Sequence, residues 1–290
     1  MVPMRLQRAI VFNLIIHINQ NRKNQVKSIY CFLIGMGILM SNMLSAQRTM
    51  FGSNNNYVAP VAPFQAPAIV TGSLKLYLDA ANPTSYSGSG PTWSDLSGNY
   101  NHATLVNNPT FNAANGGSFY TNGNNQYAIS SYVGSATDSY TYSAWFKNDN
   151  NSEPKYLLTR GRDLEGNGWS LQVQITTGGI ATAAVVPTVP STVGILVSGT
   201  TQIALNTWYN ITAVWTAGQS IKIYVNGVLE GTTNTTGTSL RTSSSGWVIG
   251  SVATSTFKSG NNAVAQVYNR VLSDAEIMTN FNSVKSRFGY

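Results

Sequence analysis

From residue 74 onward the sequence is a series of short runs of β-forming residues separated by glycine, asparagine, serine and proline. Such runs predict strands, and the residues between them predict turns. Residues 140–147 alternate cleanly, which places Tyr142, Ala144 and Phe146 on one face of a strand. Helical spacing does not interrupt the series, so it predicts antiparallel sheets rather than strands alternating with helices.

The best-patterned hairpin lies in residues 208–233. Ile221, Ile223 and Val225 share one face of its second strand, and Asn226-Gly227 supplies the positive-φ pair of a two-residue turn. The body spans about 200 residues, a normal size for one sandwich domain. The sequence therefore predicts an all-β fold, an antiparallel β-sandwich or jelly roll.

A short helix is predicted at the C-terminus. Ser273 and Glu276 have the spacing of a capping box, in which hydroxyl and carboxylate satisfy backbone N–H groups reciprocally. Ile277, Phe281 and Val284 then fall on one face at helical spacing. We expect this helix to lie against the sandwich.

Charge argues against nucleic acid as a partner. Charged residues make up only 9% of the chain, far below the ~25% of an ordinary soluble domain. The net charge is +7, but residues 1–50 hold six basic residues and no acid. The β-rich body is nearly neutral, whereas binding to a phosphate backbone needs a clustered basic face.

Residues 1–46 are predicted to be a leader. The apolar stretch at 29–40 is too short for the ~20 residues that span a bilayer, but it fits the core of a signal peptide. Lys23 and Lys27 flank it, and Ser45-Ala46 precedes a cleavage point before Gln47. This predicts a secreted or cell-surface protein without a stable transmembrane anchor.

A linker and one large domain are expected to follow the leader. Residues 47–72 contain three prolines and no acid or periodicity, which indicates an extended linker. Residues 73–290 form the predicted β-domain. The only cysteine, Cys31, precedes both, so no disulfide can form within the chain and the core must hold the fold.

Three stretches together carry a family resemblance: TWSDLSGNYNHATLVNNPTF (92–111), WYNITAVWTAGQSIKIYVNGVLEGT (208–232) and AVAQVYNRVLSDAEIMTNF (263–281). The body resembles the LamG-like jellyroll domains of the concanavalin A-like lectin/glucanase superfamily over roughly residues 73–285. The resemblance implies a non-catalytic module of a secreted protein, an adhesin or a virion structural protein. Some relatives bind glycans and some bind calcium. Many carry an acidic pair ahead of the exit strand, where this chain has Asn261-Asn262-Ala263.

Glycan binding would use exposed aromatic rings in loops as stacking platforms. Tyr86, Tyr100 and Trp169 lie in predicted loops and are the candidate ligand contacts. Trp93 lies at a place where the family usually packs its side chain, so it is assigned to the core.

Calcium is a candidate cofactor, although none is required by the sequence. Asp163, Glu165 and Asn167 place oxygen ligands at alternate positions before a glycine, a pattern that can wrap Ca²⁺. Asp79 with Asn82, and Asp95 with Asn99, are weaker candidates.

No catalytic group is predicted. Glucanases of this fold carry a Glu-x-Asp-x-x-Glu motif on one strand, and no predicted strand contains it. His102 lacks a cysteine partner or a serine-aspartate frame, which favours a solvent-facing turn residue. The sequence therefore predicts a non-enzymatic module that binds carbohydrate or a surface partner. The alternative is a structural virion protein, such as a phage fibre or capsid decoration, and the remote alternative is a glucanase.

Overall fold

The computed structural model describes residues 68–114, 117–161, 169–189, 194–253 and 256–290. They form a β-sandwich. In chain order the strands are β1 Leu74–Asp79, β2 Thr92–Trp93, β3 Ala103–Val106, β4 Thr110–Asn112, β5 Ser118–Asn122, β6 Tyr127–Ser130, β7 Tyr140–Lys147, β8 Lys155–Arg160, β9 Leu171–Ile175, β10 Ile180–Val185, β11 Pro187–Val189, β12 Ile195–Gln202, β13 Trp208–Thr216, β14 Ser220–Val225, β15 Val228–Asn234, β16 Ser239–Leu240, β17 Trp247–Ile249, β18 Ser251–Ala253, β19 Thr256–Phe257 and β20 Ser259–Tyr268.

Two eight-stranded antiparallel sheets make up the sandwich. Sheet A has the order β15-β14-β13-β7-β20-β5-β4. The long strand β20 pairs with β5 along its first half and with the eighth strand, β1, along its second half. Sheet B has the order β12-β10-β9-β8-β17-β6-β3-β2. Two small ladders, β11-β16 and β18-β19, complete the described strands. The predicted all-β antiparallel sandwich with a jelly-roll arrangement is confirmed.

The main core lies between the two sheets. Its largest fully buried side chains include Trp93, Trp215 and Trp247, so the assignment of Trp93 to the core is confirmed. The rings of Tyr142 and Trp247 meet across the sheets with centroids 5.2 Å apart. Tyr142 shares this inner face with alternate residues of β7, as the sequence pattern predicts.

A second layer covers the outer face of sheet A. Helix α1, Asp274–Val284, begins at the N-cap Ser273 with the predicted capping box and continues into a 3-10 helix, Lys285–Phe288. Trp145 points outward from β7 and stacks on Phe281 and Phe288, at centroid distances of 5.5 Å and 4.1 Å. Within the described ranges no helix is long and apolar enough to cross a bilayer.

The chain enters the domain along the same outer face. Val70 donates its N–H to Asn280 Oδ1 at 2.8 Å, and Tyr268 donates its hydroxyl to the carbonyl of Val70 at 2.8 Å. Ile69 and Val70 also pack on the apolar cluster beneath α1. Ile69 and Val70 are therefore packed on the domain. The predicted leader, and the linker up to residue 67, lie outside the described residues.

One side of the sandwich is closed by a carboxylate. Glu230 on β15 accepts hydrogen bonds from the backbone N–H groups of Thr200 and Thr201 on β12, at 2.8 Å and 3.0 Å, and from the Thr201 hydroxyl. The edge of sheet B is thereby tied to the edge of sheet A by a side chain. We call this contact the Glu230 seam.

Candidate functional site

The loop that follows β2 is built around one carboxylate. Asp95 Oδ1 accepts the N–H groups of Tyr77 and Ser97, both at 2.9 Å. Its Oδ2 accepts the Ser97 hydroxyl at 2.7 Å and the Asn101 N–H at 2.9 Å. The W-x-D-x-S-G motif is therefore a structural frame, and we call residues 95–102 the Tyr100 loop.

Two asparagines attach this loop to sheet A. Asn99 Nδ2 donates to the carbonyl of Leu74 at 2.8 Å, and Asn101 Nδ2 donates to the carbonyl of Lys75 at 2.7 Å. Both carbonyls belong to β1, which is hydrogen-bonded to β20. The sequence analysis missed these roles, although the alternation of polar residues from position 95 to position 101 was a visible signal.

The tip of the loop presents an aromatic ring to solvent. Tyr100 is 80% exposed, with a left-handed backbone conformation at φ 59°. The His102 ring lies edge-on to it with centroids 6.1 Å apart. Because His102 Nδ1 accepts the N–H of Asp95 at 3.1 Å, the neutral imidazole carries its proton on Nε2. His102 is exposed, as expected of a turn residue, but it also helps to fix the loop.

The other two aromatic candidates lie elsewhere. Tyr86 is only 9% exposed and packs against Phe119 and Phe111, at centroid distances of 4.7 Å and 5.0 Å. Burial raises the pKa of its phenol. Tyr86 therefore has no free ring face, which corrects its assignment as a stacking platform. Trp169 is partly exposed beside the start of β9, and within the described residues no ring contact joins it to Tyr86 or Tyr100.

The calcium candidates divide into two groups. Asp163, Glu165 and Asn167 lie outside the described residues. Asp79 is bound by Arg287 Nη1 at 2.6 Å and by the Ala81 N–H at 2.9 Å, and the oxygens of Asp95 are filled by loop donors. These two carboxylates do not fit a calcium site, because protein donors already occupy them. No cluster of three histidine, cysteine, aspartate or glutamate side chains suited to a metal occurs in the described ranges.

Each acid in the described part of the body has a protein partner. The pairs are Asp79 with Arg287, Asp95 with the Tyr100 loop, Asp138 with Asn269, Asp149 with Lys155, Glu153 with Lys258, Glu230 with β12, Asp274 with Tyr224 and Glu276 with Arg270. Two of these acids share a cation, since the fully buried Lys155 Nζ lies 3.2 Å from Asp149 and 3.5 Å from Glu153. Both acids are therefore engaged in an ion-pair network.

Both acids of this pair have a lowered pKa. Burial acts to raise the pKa of Asp149, but the Ser259 hydrogen bond and the Lys155 charge outweigh it, and the pKa lies below its usual value. Burial acts likewise on Glu153, and the hydrogen bond and charge of Lys258 outweigh it, again lowering the pKa. A general acid needs a raised pKa to hold its proton at neutral pH.

Two facing antiparallel sheets, loops at their ends and a helix on one outer face define a lectin-type β-sandwich. A laminin-G-type family model, described as the concanavalin A-like lectin/glucanases superfamily, matches residues 121–278, more than half of the chain. The chain therefore belongs to the concanavalin A-like lectin/glucanases superfamily. The resemblance seen in the sequence is confirmed.

Solved structures share the fold at low sequence identity. Trypanosoma rangeli sialidase in complex with sialic acid matches with a TM-score of 0.57 and 20% identity over 77% of this chain and 35% of the sialidase. The receptor-binding domain of botulinum neurotoxin C/D mosaic serotype matches with a TM-score of 0.55 and 14% identity over 73% and 51% of the two chains. The binding domain of Paraclostridial Mosquitocidal Protein 1 matches with a TM-score of 0.52 and 14% identity over 73% of this chain and 52% of the toxin chain.

These likenesses establish the fold alone. The chain spans about a third of the sialidase and about half of each toxin chain that it matches. A comparison with curated protein sequences finds no match.

Proposed function

We propose that this protein is a non-catalytic binding module whose partner is a carbohydrate or a glycan-bearing cell surface. The observation that carries the proposal is the Tyr100 loop, which holds an 80% exposed aromatic ring on a frame fixed by side-chain hydrogen bonds. Membership of a lectin superfamily, and fold neighbours that are toxin binding domains, support the same function. Fold alone does not assign it, because one fold hosts many functions.

A role in binding rather than hydrolysis is supported by the acids. The described carboxylates of the body are engaged with protein donors, and the pair around Lys155 has lowered pKa values. Hydrolysis by two carboxylates needs one to donate a proton and the other to attack or activate water. The sialidase likeness adds no support for catalysis, since it covers 35% of that enzyme at 20% identity.

The proposal is tested by applying the full chain to a glycan array, once with calcium and once with a chelator. Selective binding to one group of glycans in either condition is the expected result. A difference between the two conditions would assign calcium a role and direct attention to Asp163, Glu165 and Asn167. Uniform absence of binding on the array and on intact cells would overturn the proposal and favour the structural virion role.

We also propose that the protein is exported and cleaved before Gln47. The support is the short apolar stretch at 29–40 with lysines ahead of it, together with a body low in charge. Mass spectrometry of the protein recovered from its native source is expected to show an N-terminus at Gln47. A retained residue 1, or a start at Met40 or Met43, would contradict export by this route.

A further inference from the structure

We propose that Tyr100 is the stacking platform for a single pyranose ring, with the Nε2–H of His102 donating to one of its hydroxyls. This inference rests on the proposed function and names the site within it. The apolar C–H face of a pyranose packs on an aromatic ring, and its hydroxyls need polar partners beside that ring. The Tyr100 loop supplies both.

The backbone at Tyr100 gives the first argument. In the described ranges, non-glycine residues with positive φ are Ser73, Tyr100, Asn107, Asn108, Asn206 and Asn226. Asparagine tolerates this conformation, whereas a bulky aromatic in it is a genuine outlier. A strained residue persists only where its surroundings hold it in place, and such residues cluster at ligand-binding positions. The side-chain hydrogen bonds of Asp95, Asn99 and Asn101, within the loop and to β1, hold this one.

The side chain gives the second argument. The Tyr100 ring belongs to none of the three apolar clusters and forms none of the loop's hydrogen bonds, and its described ring contact is the edge-on contact with His102 within the same loop. The ring therefore makes no apolar packing that would offset the cost of the strained backbone at Tyr100. An exposed ring kept at the tip of a rigid loop lowers the entropy cost of binding, since the platform is already in place.

The chemistry around the ring favours a sugar over a protein partner. A stable protein interface needs an apolar centre and about 800 Å² from each partner. The neighbours of Tyr100 along the exposed tip are Gly98, Asn99 and His102, which are small or polar. A single exposed ring beside one imidazole matches one sugar residue in size and polarity.

The test measures the affinity of the full chain for the glycan that binds most strongly on the array, by isothermal titration calorimetry. Tyr100→Asn removes the ring and is expected to weaken binding by roughly ten-fold or more, given that a ring stack contributes about 1.4 kcal/mol. The same substitution is expected to raise the melting temperature, because asparagine accepts positive φ. If Tyr100 had only a structural role, its replacement would not give a higher melting temperature together with weaker glycan binding.

Two variants serve as controls. Tyr100→Phe keeps the ring and should retain the affinity, whereas Leu205→Asn changes an exposed hydrophobic residue outside the loop and should leave binding unchanged. If the wild type binds a glycan and Tyr100→Asn binds it equally well, the stacking platform is wrong while the proposed function stands. If the wild type binds no glycan, both are wrong. An unchanged or lower melting temperature for Tyr100→Asn would overturn the strain argument.

Discussion

At the residue scale, Asp95 shows how one carboxylate can organise a loop. Its two oxygens accept four hydrogen bonds from Tyr77, Ser97 and Asn101. We predict that Asp95→Ala lowers the free energy of unfolding by about 1–3 kcal/mol, because four partly buried donors lose their acceptor. Urea denaturation of the full chain at neutral pH measures it.

A matched control distinguishes this effect from simple loss of negative charge. Asp138 makes one longer hydrogen bond, 3.3 Å from Asn269 Nδ2, and Asp138→Ala should change the stability by less than about 0.5 kcal/mol. A loss at Asp95 no larger than that at Asp138 would mean that the carboxylate does not hold the loop.

Aromatic residues show where sequence reasoning ends at this scale. Tyr86 and Tyr100 both lie in polar, glycine-containing loops, and nothing local separates them. Tyr86 is buried because Phe111 and Phe119, more than 20 residues away, converge on it. Tyr100 points outward because neighbouring side chains pin its loop to β1. Exposure of a loop aromatic depends on such distant contacts, which periodicity does not contain.

At the element scale, Glu276 joins helix α1 to the strand before it. Arg270 Nη2 lies 2.6 Å from Glu276 Oε1, and the Ser273 N–H donates to Glu276 Oε2 at 2.8 Å. Together with the Ser273 hydroxyl, these donors lower the pKa of Glu276 from an ordinary value of 4.5 to about 2. A carboxyl with a lowered pKa stabilises the folded state above its unfolded pKa and loses that contribution as the pH falls.

We therefore predict that Glu276→Gln destabilises the protein at neutral pH by about 1 kcal/mol, typical of a lost cap. The difference between wild type and variant should persist down to about pH 4.5 and disappear as the pH falls towards 2. Urea unfolding of both proteins across this range provides the measurement. A difference that stays constant through the acid range would show that the carboxylate charge is not what stabilises the helix.

Elements with local signals were predictable, and those held by distant contacts were not. The capping box gave the start of α1, and alternation gave β7 with its bounds. Strand β12, Ile195–Gln202, was missed because glycine and small polar residues hide its pattern. It is held by pairing with β10 and by Glu230, which lies about 30 residues further along the chain.

At the scale of the whole molecule, the Glu230 seam covers backbone N–H groups at the edge of sheet B, beside a second contact in which the Thr233 hydroxyl donates to the Leu196 carbonyl at 3.0 Å. An open strand edge presents unpaired N–H groups that pair with other chains. We predict that Glu230→Ala lowers the free energy of unfolding by about 1–3 kcal/mol and promotes self-association, because Thr200 and Thr201 lose their acceptor. Urea denaturation and sedimentation velocity measure the two effects.

Glu230→Gln is the control, since an amide oxygen can still accept one of these backbone donors. It should fall between the wild type and Glu230→Ala in both measurements. If Glu230→Ala remains monomeric with unchanged stability, the seam is a surface contact without a role in closing the sandwich.

The fold class could be predicted from the sequence, whereas the candidate binding site could be predicted only in part. Many short strands, one capped helix and three motif stretches were enough for the fold class and the superfamily. The candidate site required knowing which loops are pinned and which rings are covered. Of the three aromatic candidates, Tyr100 alone is placed by the structure as a freely presented ring on a fixed frame.

The central strands of sheet A, β7, β13 and β20, are covered on both faces, by the inter-sheet core and by the apolar clusters beneath α1. A strand that is covered on both faces cannot exchange residues without disturbing one packing layer or the other. The Tyr100 loop is attached to sheet A through Asp95, Asn99 and Asn101, none of which uses the tyrosine ring. The side chain at position 100 can therefore be exchanged while these contacts and the strands beneath them stay in place.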